Sequence, residues 1–204
     1  MFRCWAYLFF CLWGLPLVAQ DLRIQELLGK SSTFMAVLLE DINHDGKLDI
    51  VAVQEHRILW FENPGWQMHT LADNTLGQNY VCIAAYDIDG DGKLDLAVGS
   101  QWSPADRKTG GVIQWMRRSE DTGRSLWETF PIAEEPTTHR MRWIDVTGDG
   151  KPELLVAPLH GRALGDAPAD EPLRVLVFTP PAKPEREPWP VAVASISLHV
   201  LHNL

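Results

Sequence analysis

Asp41-Ile-Asn-His-Asp-Gly-Lys-Leu-Asp49 recurs as Asp87-Ile-Asp-Gly-Asp-Gly-Lys-Leu-Asp95 and again as Asp145-Val-Thr-Gly-Asp-Gly-Lys-Pro-Glu153. Positions 1, 3, 5 and 9 carry an oxygen donor in every copy, and position 6 is always Gly. Hard cations such as Ca²⁺ take six to eight oxygens from a tightly turned loop, and a glycine permits the sharp bend. The backbone carbonyl at position 7 (Lys47, Lys93 and Lys151) adds a donor that needs no particular side chain. An EF-hand would require a bidentate Glu at position 12 and flanking helices. Those positions are Ala52, Val98 and Val156, and short β-branched runs follow each loop. These runs read as buried strands. The plain alternative is an Asp/Asn/Gly turn between strands without an ion.

The repeat is longer than the loop. First positions fall at 41, 87 and 145, spacings of 46 and 58 residues, which suit propeller blades. Each loop and its strand precede a second apolar run: Arg57–Phe61, Gly111–Trp115 and Arg174–Phe178. A Trp then opens a further run at Trp66, Trp127 and Trp189. Four short strands per unit with a periodic aromatic predict an all-β propeller of four-stranded blades, with the tryptophans as blade packing. The Pro-rich charged stretch Pro180–Pro188 reads as an exposed strand connection. Residues Ser195–Leu204 read as the strand leading into another acidic loop. Three blades do not close a ring, so the expectation is an incomplete N-terminal piece of about three blades.

Residues 1–20 have the pattern of a secretory signal: Arg3, an apolar stretch over 4–18, then Pro16-Leu-Val-Ala19. A retained N-terminal anchor is the alternative. No later stretch has eighteen consecutive apolar residues, so no membrane span is expected after signal removal. The reading is 21–204 as the propeller and a secreted, periplasmic or cell-surface location. Of three cysteines only Cys82 lies beyond the signal, so no internal disulfide framework is expected, and Cys82 reads as a small buried apolar residue. Net charge is −9, and ten of the 27 acidic residues lie in the loops. That balance argues against a nucleic-acid backbone as partner.

The three loops resemble those of the FG-GAP/VCBS repeat family, over about residues 30–204. The resemblance implies a β-propeller with a cation in the loop joining the first and second strands of each blade. Its ligands would be Asp41, Asn43, Asp45, the Lys47 carbonyl and Asp49, and then Asp87, Asp89, Asp91, the Lys93 carbonyl and Asp95. In the third copy they would be Asp145, Thr147, Asp149, the Lys151 carbonyl and Glu153, and Thr147 makes that site the weakest expected. Ligand number favours Ca²⁺ and leaves Mg²⁺ open. A binding or adhesion module for carbohydrate or an extracellular protein is the leading expectation.

A narrower resemblance rests on Trp60-Phe-Glu-Asn-Pro-Gly-Trp66, His139-Arg-Met-Arg-Trp143 and Glu153-Leu-Leu-Val-Ala-Pro-Leu-His-Gly161. These segments look like the propeller of aldos-2-ulose dehydratase-like proteins, which implies a zinc-assisted carbon–oxygen lyase acting on keto-sugars. Strand order places Gln54, Glu55, His56, Gln101, Trp102, His139, Arg140, His160, His199 and His202 on the face opposite the acidic loops. There Zn²⁺ would polarise a sugar carbonyl, a neutral His139, His160 or His56 would take the α-proton, and Arg140 would hold the oxyanion. Solvated loop residues without a catalytic role are the alternative.

Overall fold

The computed structural model describes residues 33–73, 79–103, 105–118, 126–163, 171–198 and 200–202. The signal reading at 1–20 and His199 lie outside the described residues. The described residues from Thr33 onward belong to one compact unit of twelve strands, and none of them forms a helix long and apolar enough to cross a membrane.

The chain lays down three antiparallel four-stranded meanders, and these are blades of a propeller fold. The first holds β1 (Phe34–Glu40), β2 (Asp49–Gln54), β3 (Ile58–Glu62) and β4 (Gln67–Ala72). The second holds β5 (Cys82–Tyr86), β6 (Asp95–Ser100), β7 (Val112–Arg117) and β8 (Glu128–Glu134). The third holds β9 (Thr138–Ile144), β10 (Glu153–Pro158), β11 (Leu173–Phe178) and β12 (Val191–Leu198). Strand β5 touches β1 on one side and β9 on the other, so the first strand of each blade is the innermost. Every residue of β2 and β6 is buried, because each second strand has a neighbour on both edges and side chains covered on both faces.

Two apolar layers bind the blades. Val51, Val53, Trp60 and Leu71 of the first blade meet Ile83, Leu96, Met116 and Trp127 of the second. Ala97, Ile113 and Trp115 of the second meet Leu154, Phe178 and Trp189 of the third. Trp127 and Trp189 therefore pack against the preceding blade as expected, while Trp66 is only half-buried, at a left-handed φ of 54°.

Two expectations are corrected. Ser195–Leu198 does not start a new blade: it continues β12, with Val175 opposite Ser195 and Leu173 opposite Leu198. The alternating apolar pattern serves equally for an outer strand, and pairing with β11 decides it. The Pro180–Pro188 connection is not wholly exposed either. Pro184 is buried, and its carbonyl accepts the Nε1 hydrogens of Trp115 (3.4 Å) and Trp189 (3.2 Å), so the insertion latches the third blade onto the second.

Candidate functional site

The acidic loops join β1 to β2, β5 to β6 and β9 to β10, the connection expected for them. Their backbones repeat. Position 6 is left-handed at Gly46, Gly92 and Gly150, each at φ 85°, a region only glycine enters without strain. A Cβ there would meet nothing within 4 Å, so conformation alone selects Gly. Position 4 is left-handed too, at Gly90, Gly148 and His44 (φ 61°).

The side chains organise the turn in a fixed order. The position-1 carboxylate caps the bend: Asp41 accepts from the amides of Asp45 (3.0 Å) and Gly46 (2.8 Å). Asp145 accepts from Gly148, Asp149 and Gly150. Position 5 accepts the amide of position 7 in all three loops, from Asp45, Asp91 and Asp149. The Lys47 ammonium also reaches Asp45 at 2.9 Å and holds its carboxyl below the usual range.

Position 9 is the buried one. Asp49, Asp95 and Glu153 are 0, 1 and 3% exposed. Asp49 accepts from Ile42 N (3.1 Å) and Asn63 N (2.8 Å), and Asp95 from Ile88 N and Arg118 N (both 3.0 Å). This carboxylate thus ties the start of its own loop to the chain leaving the third strand. Glu153 accepts from Val146 N (2.9 Å) and from the Thr147 hydroxyl (3.4 Å), so it stays within its loop.

The three loops differ in what remains for an ion. Among the described residues, one set of three His, Cys, Asp or Glu side chains brings a ligand atom from each within 4.8 Å of the others: Asp87, Asp89 and Asp95. Asp87 Oδ2 accepts from Gly92 N (3.0 Å), while its Oδ1 is buried and has no hydrogen-bond partner. A buried carboxylate oxygen without a partner is costly, and a cation would satisfy it. Burial also pushes the Asp95 carboxyl up to about 6, with repulsion from Asp89 and Asp91 adding to the rise and the Arg118 and Ile88 amides opposing it. These all-oxygen donors fit a hard divalent cation.

On the opposite face, His139 is 7% exposed, and neither ring nitrogen has a hydrogen-bond partner among the described residues. It stacks on Trp102 at 5.6 Å between centroids and meets His202 edge-on at 5.2 Å. Burial lowers its pKa to about 4, helped by the positive fields of Arg140, His202 and His160. The imidazole is therefore neutral near pH 7. His160 is fixed through its backbone, whose amide and carbonyl both bond the Thr137 hydroxyl (3.1 and 2.9 Å). His56 lies on the β2–β3 turn, with Nε2 3.8 Å from Glu55. Arg140 bonds the His139 carbonyl (2.8 Å) and lines a groove of about 550 Å³ along the innermost strands with Glu40 and Arg142. A second hollow of about 380 Å³ is lined by Met35, Glu55, Asn79, Tyr80 and Trp102. The structure thus brings His139, Arg140, His160, Trp102 and His202 into one neighbourhood and places His56 against Glu55.

Sequence reasoning missed the residues that close the third strands. Asn43 Nδ2 donates to Glu62 (2.9 Å), and Arg117 Nε donates to Asp89 (2.8 Å). The only hint was register: Glu62 and Arg117 each follow the residue opposite position 10, Phe61 across from Ile50 and Met116 across from Leu96.

Residues 41–98 match the model of an FG-GAP-like repeat. The matched span runs from the first acidic loop through the second and into β6. No curated protein matches the chain.

Proposed function

We propose that this chain is a cation-bearing propeller module, exported from the cell, that binds a carbohydrate or protein ligand on the face opposite its acidic loops. The observation that carries the cation reading is the second loop, where Asp87, Asp89 and Asp95 converge around an unpartnered buried Asp87 oxygen. Asp91 and the Lys93 carbonyl would complete an oxygen cage, and the donor count favours Ca²⁺ over Mg²⁺. The first loop would hold its ion with Asp41, Asn43, Asp45, the Lys47 carbonyl and Asp49. The third would use Asp145, Thr147, Asp149, the Lys151 carbonyl and Glu153. Bound, the ion supplies charge neutralisation that a short acidic turn otherwise lacks. The protein's own part is mechanical: the position-9 carboxylate anchors each loop, and the blades hold the opposite face in shape. The ligand part rests on the two hollows and on the FG-GAP-like match, whose repeats generally serve in binding.

The test is equilibrium dialysis with Ca²⁺, followed by glycan and protein binding screens with and without chelator. Stoichiometric Ca²⁺ with chelator-sensitive ligand capture is expected. No Ca²⁺ uptake at millimolar concentration would overturn the reading.

A second reading, a zinc-assisted keto-sugar lyase, is favoured by one observation, the neutral His139 with unengaged ring nitrogens beside Arg140. His139 would take the α-proton there, with Arg140 near the developing oxyanion. Loss of keto-sugar turnover in His139→Ala with folding intact would support it. Absence of turnover in the unaltered protein with added Zn²⁺ would remove it.

A further inference from the structure

The residue that closes the third strand has opposite charge in the first two blades, and in both it grips position 3 of the acidic loop. In the first blade Glu62 accepts from the Asn43 amide nitrogen, which leaves Asn43 Oδ1 turned to the loop, where it accepts from Asp45 N (3.1 Å). Glu62 also bonds His69 (2.9 Å), and His69 stacks on Trp60 at 4.5 Å. Glu62 therefore fixes which end of the Asn43 amide faces inward and adds negative charge behind it. In the second blade the loop has a carboxylate, Asp89, in place of Asn43, and Arg117 in place of Glu62. Arg117 bonds Asp89 Oδ2 directly.

We propose that Arg117 is a built-in competitor for the second-loop cation and sets its affinity below what four carboxylates would give. This inference rests on the cation reading above. Asp89 Oδ1 faces the loop and accepts from Asp91 N (3.2 Å) while Oδ2 holds Arg117 (2.8 Å), so an ion at that carboxylate and the guanidinium behind it repel one another and divide its charge. Arg117 need not stay there, because other partners are in place. Its Nη1 is 3.7 Å from Glu128 and its Nη2 3.8 Å from Glu185. Its guanidinium carbon lies 4.9 Å from the Phe130 ring centre and 5.3 Å from that of Trp115. The guanidinium can thus yield Asp89 to an ion and remain held by the aromatic platform and by Glu185. Glu185 belongs to the Pro180–Pro188 connection that latches the third blade to the second, so ion entry strengthens Arg117's hold on that latch. The first loop has no such competitor at position 3.

The experiment is calorimetric Ca²⁺ titration of the full chain, the Arg117→Gln and Arg117→Lys variants, and Asp89→Asn to assign the second site. Arg117→Gln should tighten the Asp89-dependent site about fivefold, the scale of one part-buried ion pair, and leave the other sites unchanged. Arg117→Lys, which keeps the charge, should stay near the unaltered protein. Arg117→Met keeps the apolar stem over Trp115 and Phe130, and it replaces Arg117→Gln should that variant misfold. Equal or weaker affinity at the Asp89-dependent site after loss of the Arg117 charge would overturn the inference while leaving the cation reading intact. Absence of Ca²⁺ binding in every protein would overturn both.

Discussion

The acidic-loop face and the axial face are assembled in contrary ways. Each loop draws its oxygen donors from nine consecutive residues, and its position-1 carboxylate holds the glycine of its own turn. The axial face draws Glu55 from one turn, Trp102 from the end of another strand, His139 from β9, His160 from beyond β10 and His202 from beyond β12. A site whose donors come from one turn takes its shape chiefly from that turn. An assembled site exists only when the blades are docked. The loops should therefore respond to ions, and the axial face to anything that alters packing between blades.

The largest effect expected on this contrast comes from position 9 of the second loop, the buried carboxylate that ties its turn to the chain leaving the third strand. Asp95→Ala orphans the amides of Ile88 and Arg118 and should lower unfolding free energy by about 3 kcal/mol, measured by denaturant titration. An equal loss from Asp91→Ala, on the exposed rim, would break the distinction.

Calcium is next. At a hundredfold excess over Kd, one filled site should add about 2.7 kcal/mol. The effect should depend on pH through Asp95. Its folded pKa, about 6 against an ordinary value of 3.8, lies above the unfolded one, so without an ion its contribution is present below 3.8 and is lost as pH rises through 6. A cation takes the proton's place. Thermal unfolding with and without Ca²⁺ should show a larger gain at pH 7 than at pH 5, and equal gains would place the ion elsewhere.

His139 gives a smaller effect of opposite sign. Its folded pKa, about 4 against 6.5, is depressed, so the unfolded chain binds the proton first. Stability is lost as pH falls from 6.5 toward 4, by about 1–2 kcal/mol at pH 5 from this group. His139→Phe, which keeps a ring on Trp102, should flatten that part of the acid limb. An unchanged limb would mean that the imidazole is solvated. The smallest change belongs to Asp91→Ala without an ion, within about 0.5 kcal/mol, as for exposed substitutions generally.

How much was legible follows the same division. Repeating positions 1 to 9 and the strands after them could be read directly because spacing, glycine and β-branched runs are local signals. Trp127 and Trp189 were legible as packing for the same reason. The role of Pro184 was not, since a carbonyl that accepts from two tryptophans one blade apart leaves no mark on composition. Nor were Glu62 and Arg117, whose partners lie 19 and 28 residues away. Ser195–Leu198 misled because an outer strand and an inner one share the same alternation, and only pairing with β11 separates them. On the axial face the individual histidines were visible. That His139 meets Trp102 and His202, while His56 turns to Glu55, is a fact of docking.

Arg118 has a consequence for how the molecule comes apart. Its amide is held by Asp95 in the second blade, and its guanidinium donates to the carbonyl of Ile42, whose own amide is held by Asp49 in the first. Repeat arrays with only neighbour contacts can melt unit by unit, with stability a sum of unit and interface terms. Here one side chain makes the order of one loop a condition for the order of the next. The amides of Ile42 and Arg118 should then exchange with solvent deuterium at one common rate, and the first two blades should unfold as a single cooperative unit.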